Sequence, residues 1–259
     1  MVWDFGVVGS SVVVGLLVGL TGVGAGAAMT PLLVSFFGVP IPTAIATDLL
    51  FATITKSVGV AAHGTSGQVN WALARKLWSG SIPAVAIGSL FLVGLVGAGH
   101  TGWLTWVLLG FVVFTSYTLV SRAIRPAHTR GPSAAKPAPR WLAPLGGAGL
   151  GLGVSLTSVG AGVLGMALMV RLSPSNTPPR TLVATDLLHA IPIALIAGVS
   201  YSFSGLLDGP LLVQLLVGSI PGVIVGAYLS KFVPGRALNL LLGVVLAALA
   251  VSLFAGKLT

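Results

Sequence analysis

The chain has 259 residues, 55% of them hydrophobic and only 7% charged, with a mean hydropathy of +1.05. A water-soluble domain carries about 25% charged residues, so the composition excludes a water-facing globule and predicts an all-α polytopic membrane protein. The net charge of +9 does not imply nucleic acid, because most of the 13 Lys and Arg lie in short connections between apolar runs, where they act as topology signals. The lack of cysteine excludes disulfides, thiolate metal sites and thiol catalysis.

The first apolar segment covers about 5–37. It has no basic n-region before it, so it is read as a retained helix and not a signal peptide. A single span needs roughly 20 residues. This segment is longer and is interrupted by Thr21-Gly22-Val23-Gly24-Ala25-Gly26. The second segment, 41–62, carries Ala46-Thr47-Asp48-Leu49-Leu50 and Lys56, with His63 at its end. Segments at 79–98 and 102–122 follow, the former opening with Gly80-Ser81-Ile82-Pro83. The stretch Arg122 to Arg140 holds five basic residues and four prolines without apolar periodicity, and reads as a water-exposed linker.

The second half repeats these words. Segment 142–170 is again long and is interrupted by Thr157-Ser158-Val159-Gly160-Ala161-Gly162, 136 positions after its counterpart. Segment 181–203 carries Ala184-Thr185-Asp186-Leu187-Leu188, at an offset of 138, and His189. Segment 210–230 carries Gly218-Ser219-Ile220-Pro221, and 236–255 closes the chain. Three words in the same order mark an internal duplication, an architecture of secondary transporters. The organisation is therefore a transmembrane repeat at 1–122, a basic cytoplasmic linker at 123–140 and a second transmembrane repeat at 141–259.

Charge placement bears on topology. If each apolar segment crosses once, eight basic residues lie inside and four outside. If the first and fifth segments are instead re-entrant hairpins, eleven lie inside and one outside, with Lys56 set aside. The hairpin arrangement fits the positive-inside rule better. It also gives the halves opposite orientation, an inverted repeat with a broken or re-entrant helix pair plus three transmembrane helices in each half.

Several residues are candidates for chemistry. The glycines at 22, 24, 26, 160 and 162 permit a helix break, whose exposed N–H groups and dipole attract an anion. Thr21, Thr157 and Ser158 add hydroxyls. The structural alternative is close packing of helices through small residues. Thr47-Asp48 and Thr185-Asp186 hold two of the four acidic residues in the chain. Such a buried carboxylate can exchange a proton, pair with a cation or brace a helix break. Lys56, eight positions after Asp48, shares its helical face and suggests an anionic ligand; the alternative is a lysine snorkelling to the interface. His189, on the face of Asp186, can relay a proton or bind an oxyanion. For His63 an interfacial role stands beside a functional one. Pro83 and Pro221 read as bends or hinges. Trp71, Trp78, Trp103, Trp106 and Trp141 lie near segment ends and read as interfacial anchors. No nucleotide-binding loop, catalytic triad or metal-ligand cluster occurs, and no cofactor is expected.

Taken together, Gly22-Val23-Gly24-Ala25-Gly26, Pro31, Ala46-Thr47-Asp48-Leu49-Leu50, Thr55-Lys56-Ser57, His63, Gly67-Gln68-Val69-Asn70-Trp71 and Gly80-Ser81-Ile82-Pro83 resemble the TauE/SafE sulfite exporter family, or toluene-sulfonate uptake permease group. The resemblance covers essentially the whole chain. It implies transport of a small sulfur-containing anion (sulfite, a sulfonate, sulfoacetate or thiosulfate). Two words depart from the family pattern. Gly-Ala-Gly replaces a triple glycine in both halves, and Asn70-Trp71 stands where Asp-Trp is usual.

The expectation is thus a multi-pass protein of the bacterial cytoplasmic membrane that is not an enzyme. It moves its anion by alternating access with proton coupling. A passive anion channel and a structural subunit of a membrane complex are the alternatives. Expected partners are the anion and membrane lipid, with no nucleic acid; a homo-oligomer stays open.

Overall fold

A computed structural model of the protein describes residues 4–21, 26–63, 69–124, 139, 141–160, 162–174, 177–230 and 232–258. Among the described residues all regular structure is helical. The first half contains α1 (Phe5–Thr21), α2 (Gly26–Phe37), α3 (Ile41–His63), α4 (Trp71–Gly97) and α5 (Leu104–Ile124). The second contains α6 (Leu142–Thr157), α7 (Val163–Leu172), α8 (Pro179–Phe203), α9 (Gly209–Leu229) and α10 (Gly235–Leu258). Six helices, α3, α4, α5, α8, α9 and α10, are long and apolar enough to cross a membrane; α1, α2, α6 and α7 are shorter apolar helices.

Among the described residues the fifth segment is split at its Gly-rich word into α6 and α7, and α1 and α2 lie on either side of residues 22–25. The break between α6 and α7 is visible in backbone geometry. α6 ends where Ser158 turns left-handed (φ 58°), with Gly160 also at positive φ (117°). Gly160 adopts this at little cost, whereas a residue with a Cβ is strained there. Residues 22–25, the corresponding part of the first word, and Ala161 lie outside the described residues.

Two boundaries differ from the sequence reading. α4 begins at Trp71, not 79, because the Asn70 side chain accepts a hydrogen bond from the Leu73 backbone N–H (3.0 Å) and caps the helix. Arg75 and Lys76 therefore lie on the first turns of α4 and not in a connection. Asp208 caps α9 in the same way through Leu211 N–H (2.9 Å). Asn70 and Asp208 are repeat counterparts, and Asn and Asp are equally good N-caps, so the Asn70 departure leaves this element intact. Arg122 belongs to the last turn of α5, and the helix runs two residues into the predicted linker. Residues 125–138 and Arg140 lie outside the described residues.

The halves pack by exchange. α1 lies along α9 and α6 along α4, so each half's opening helix packs on the other half's fourth helix. α3 packs on α8 and α5 on α10. The exchanged contacts are close because they pass through glycine. A Cβ on Gly15 would collide with the backbone of Ser219, and one on Gly151 with the backbone of Ser81. Gly15 and Gly151 are repeat counterparts, as are Ser81 and Ser219. The glycines of the Gly-Ser-Ile-Pro words share in this: a Cβ on Gly80 would strike Pro144, and one on Gly218 would strike Val8. α4 and α9 continue through Pro83 and Pro221. Of the six long helices, α3 and α8 are the most enclosed, and they form the centre of the molecule.

Candidate functional site

The central pair, α3 and α8, carries the polar side chains that an apolar core cannot easily hold. Asp48 is 0% exposed, Asp186 1%, Lys56 3% and His189 0%. At this enclosure Lys56 does not snorkel to a surface. Its ammonium lies within electrostatic reach of both Asp186 and Asp48, and of His189. The four groups thus form one buried cluster across the two halves. A lone buried charge costs far more than a paired one, so the opposite charges stabilise one another.

The two aspartates lie in different surroundings. Asp48 Oδ2 accepts a short bond from the Thr30 hydroxyl of α2 (2.6 Å). Asp186 packs its Oδ1 against Gly165 of α7, where a Cβ would collide with it. Neither oxygen of Asp186 has a hydrogen-bond partner. Each carboxylate therefore faces the half-helix that follows the break in its own half. Only the first half provides a hydroxyl there: the positions corresponding to Thr30 fall in Met166-Ala167-Leu168. Arg122, at the end of α5, also reaches Asp186 electrostatically.

His189 is held by α4. Its Nε2 lies 3.0 Å from the Ser81 hydroxyl, and the Trp78 indole N–H donates to its backbone carbonyl (3.3 Å). Its Nδ1 is buried without a hydrogen-bond partner. Trp78 is half-buried, between this carbonyl and the exposed ring of Trp71. Trp71, Trp106 and Trp141 are exposed.

The tip between α6 and α7 approaches the cluster from the second half. Ser158 is buried, with its hydroxyl beside the Asp48 carboxylate. The tip is tied to α8 by the Tyr201 hydroxyl, which donates to Ser155 O (2.6 Å). Thr157 is committed to the break itself, donating to Gly153 O (2.7 Å) and accepting from Val159 N–H (3.1 Å). Thr21 likewise donates to Leu17 O within α1 (2.8 Å).

The remaining predicted residues fall elsewhere. Thr47 Oγ1 accepts from Asp208 N–H (3.3 Å), and Thr185 Oγ1 accepts from Asn70 N–H (3.0 Å). These bonds are reciprocal, each threonine bracing the first turn of the other half's α9 or α4. Gly160 and Gly162 flank the second break, and Gly26 opens α2. Gly22 and Gly24 lie outside the described residues, and His63 is the last residue of α3. Among the described residues no three of His, Asp or Glu gather as a metal-ligand group.

Sequence reasoning missed Thr30, Ser81 and Tyr201. Ser81 lies in a repeated word that reads as a hinge, and Tyr201 is the repeat counterpart of His63, so both left a signal. Thr30 left none, being an ordinary hydroxyl in an apolar run.

Comparison with known proteins agrees with this architecture. A family model described as Sulfite exporter TauE/SafE matches residues 7–253. The probable membrane transporter protein YjnA of Bacillus subtilis strain 168 is 37% identical over 229 residues, covering 85% of this chain and 88% of that protein. The probable membrane transporter protein YdhB of the same organism is 26% identical over 237 residues, covering 85% and 87%. No solved structure matches the chain.

Proposed function

The chain belongs to the TauE/SafE sulfite exporter family of multi-pass membrane transporters, and on that premise we propose that it is a secondary transporter for a small sulfur-containing anion. Sulfite, a sulfonate, sulfoacetate and thiosulfate are the substrate candidates. The observation that carries this reading is the buried cluster of Lys56, Asp48, Asp186 and His189. In a close-packed interior nearly every buried polar atom finds a hydrogen bond. Here both Asp186 oxygens and His189 Nδ1 have none. Unmet polar atoms gathered between two broken segments suit a site that something else completes.

In this reading the anion enters beside Lys56. The ammonium attracts it, and His189 Nδ1 and the Ser158 hydroxyl offer hydrogen bonds to its oxygens. Two carboxylates next to an anion repel it unless their charge is neutralised. Lys56 serves one of them, and a proton serves the other. We assign that proton to Asp186, whose oxygens have no hydrogen-bond donor to stabilise the anionic form, whereas Asp48 has Thr30. Anion and proton then move together. The duplicated halves would exchange conformations, as inverted repeats do in alternating access.

The test is flux in proteoliposomes under an imposed pH gradient, with sulfite, thiosulfate and small sulfonates offered in turn. Wild type should move at least one of them, faster with the gradient in the driving direction. Asp186→Asn should abolish the dependence on the gradient. A gradient dependence unchanged in that variant would remove the proton from Asp186.

A further inference from the structure

α5, α6 and α7 enclose a groove of about 780 Å³. Its lining is almost wholly apolar. Trp106, Phe111 and Phe114 come from α5, Gly149 from α6, and Leu168 from α7, whose last turn supplies Arg171. The groove interrupts the exchange symmetry of the fold. In the first half α10 packs along α2, but its counterpart α5 meets α7 only at a few points, and the groove fills the gap. No ionisable group of the central cluster lines it.

We propose that this groove binds an anionic phospholipid, with an acyl chain between α5 and α7 and the headgroup phosphate on Arg171. The groove follows α5 from Trp106 to Thr118. At 1.5 Å per residue this is about 18 Å, close to one leaflet of a hydrocarbon core about 30 Å thick. The exposed rings of Trp106 and Phe114 offer a chain broad contact. Charge complementarity selects the headgroup. Arg171 is exposed at the rim, and Arg122 follows Thr118 by one turn on α5. Basic pockets between membrane helices recognise anionic headgroups in this way.

The test is the thermal shift of the delipidated, detergent-solubilised full chain on adding phosphatidylglycerol or phosphatidylcholine. Phosphatidylglycerol should raise the midpoint by roughly 5 °C more than phosphatidylcholine. A Cβ on Gly149 would meet nothing within 4 Å, so Gly149→Phe should fill the groove without disturbing the helix; Ala167→Phe fills it from α7. Both variants should lose the shift, and Arg171→Gln should lose only the preference for phosphatidylglycerol. Equal shifts with the two lipids, or a preference that survives Arg171→Gln, would overturn the headgroup assignment. A shift retained in both filled variants would overturn the site. Filling that converts a dimer to a monomer without changing the lipid response would give the groove to a second copy of the chain.

Discussion

Asp48 and Asp186 occupy the same five-residue word, and they differ in the hydroxyls beside them, Thr30 and Ser158 at Asp48 and none at Asp186. Thr30 donates to Asp48, while no donor reaches Asp186. The chemistry of Asp186 therefore depends on Lys56, Arg122 and whatever enters the cluster. Lys56 is a buried cation within electrostatic reach of both aspartates, and removing it leaves carboxylate charge uncompensated in an apolar interior. Lys56→Met should lower the melting temperature of the purified protein and abolish flux. Adding Asp48→Asn should restore much of the stability and none of the flux. Additive losses in the double variant would mean that the two residues do not interact. Ser158 gives a second prediction. It holds a left-handed conformation (φ 58°) that costs a side chain about 1 kcal/mol, and glycine stands at the corresponding position 22. Ser158→Gly should raise the melting temperature and weaken anion binding, which thermal shift with each sulfur anion would show. Unaltered anion binding would remove the hydroxyl from the site.

The helices are set by where glycine permits a break and where it permits a close crossing. The break between α6 and α7 was legible in the sequence, because its apolar segment exceeds a single span and holds a Gly-rich word at mid-length. The crossings were not. Gly15 and Gly151 sit in helical runs with nothing local to set them apart, and only packing shows that α1 meets α9, and α6 meets α4, at backbone distance. Gly15→Leu or Gly151→Leu should therefore abolish the monodisperse peak in size-exclusion chromatography. Gly59→Ala, with nothing within 4 Å of its Cβ, should leave that peak unchanged. Equal behaviour of the three variants would contradict the crossing geometry. The start of α4 was misplaced for a different reason. Arg75 and Lys76 look like loop charges in a sequence, but the Asn70 cap starts the helix before them and their side chains are exposed on its first turns. Trp78 follows on the same helix, and only the structure shows its indole N–H donating to the His189 carbonyl.

For the whole molecule, the duplication and the membrane class were evident from composition and repeated words. The assembly of one site from both halves was not, because Lys56 and His189 have no counterparts in the repeat: Ala194 and Phe51 stand in their places. The exchanged packing of α1 on α9 and α6 on α4, with reciprocal bonds from Asp208 N–H to Thr47 and from Asn70 N–H to Thr185, makes the halves interdependent. If they are inverted, the α3–α4 and α8–α9 connections lie on opposite faces. The native chain lacks cysteine, so single cysteines at Ser66 and Ser204 can be labelled in intact cells with a membrane-impermeant thiol reagent. One of the two should react, and reaction of both would exclude inversion. The central claim is that the buried Asp–Lys–Asp–His cluster carries a sulfur-containing anion together with a proton. It is tested most directly by measuring anion uptake and internal pH in the same proteoliposomes, with no imposed gradient, as sulfite, thiosulfate and small sulfonates are added in turn. The account predicts that one of these anions enters and acidifies the lumen in wild type, and that it does neither in Lys56→Met. Anion entry with no pH change, or no entry of any of these anions, would contradict it.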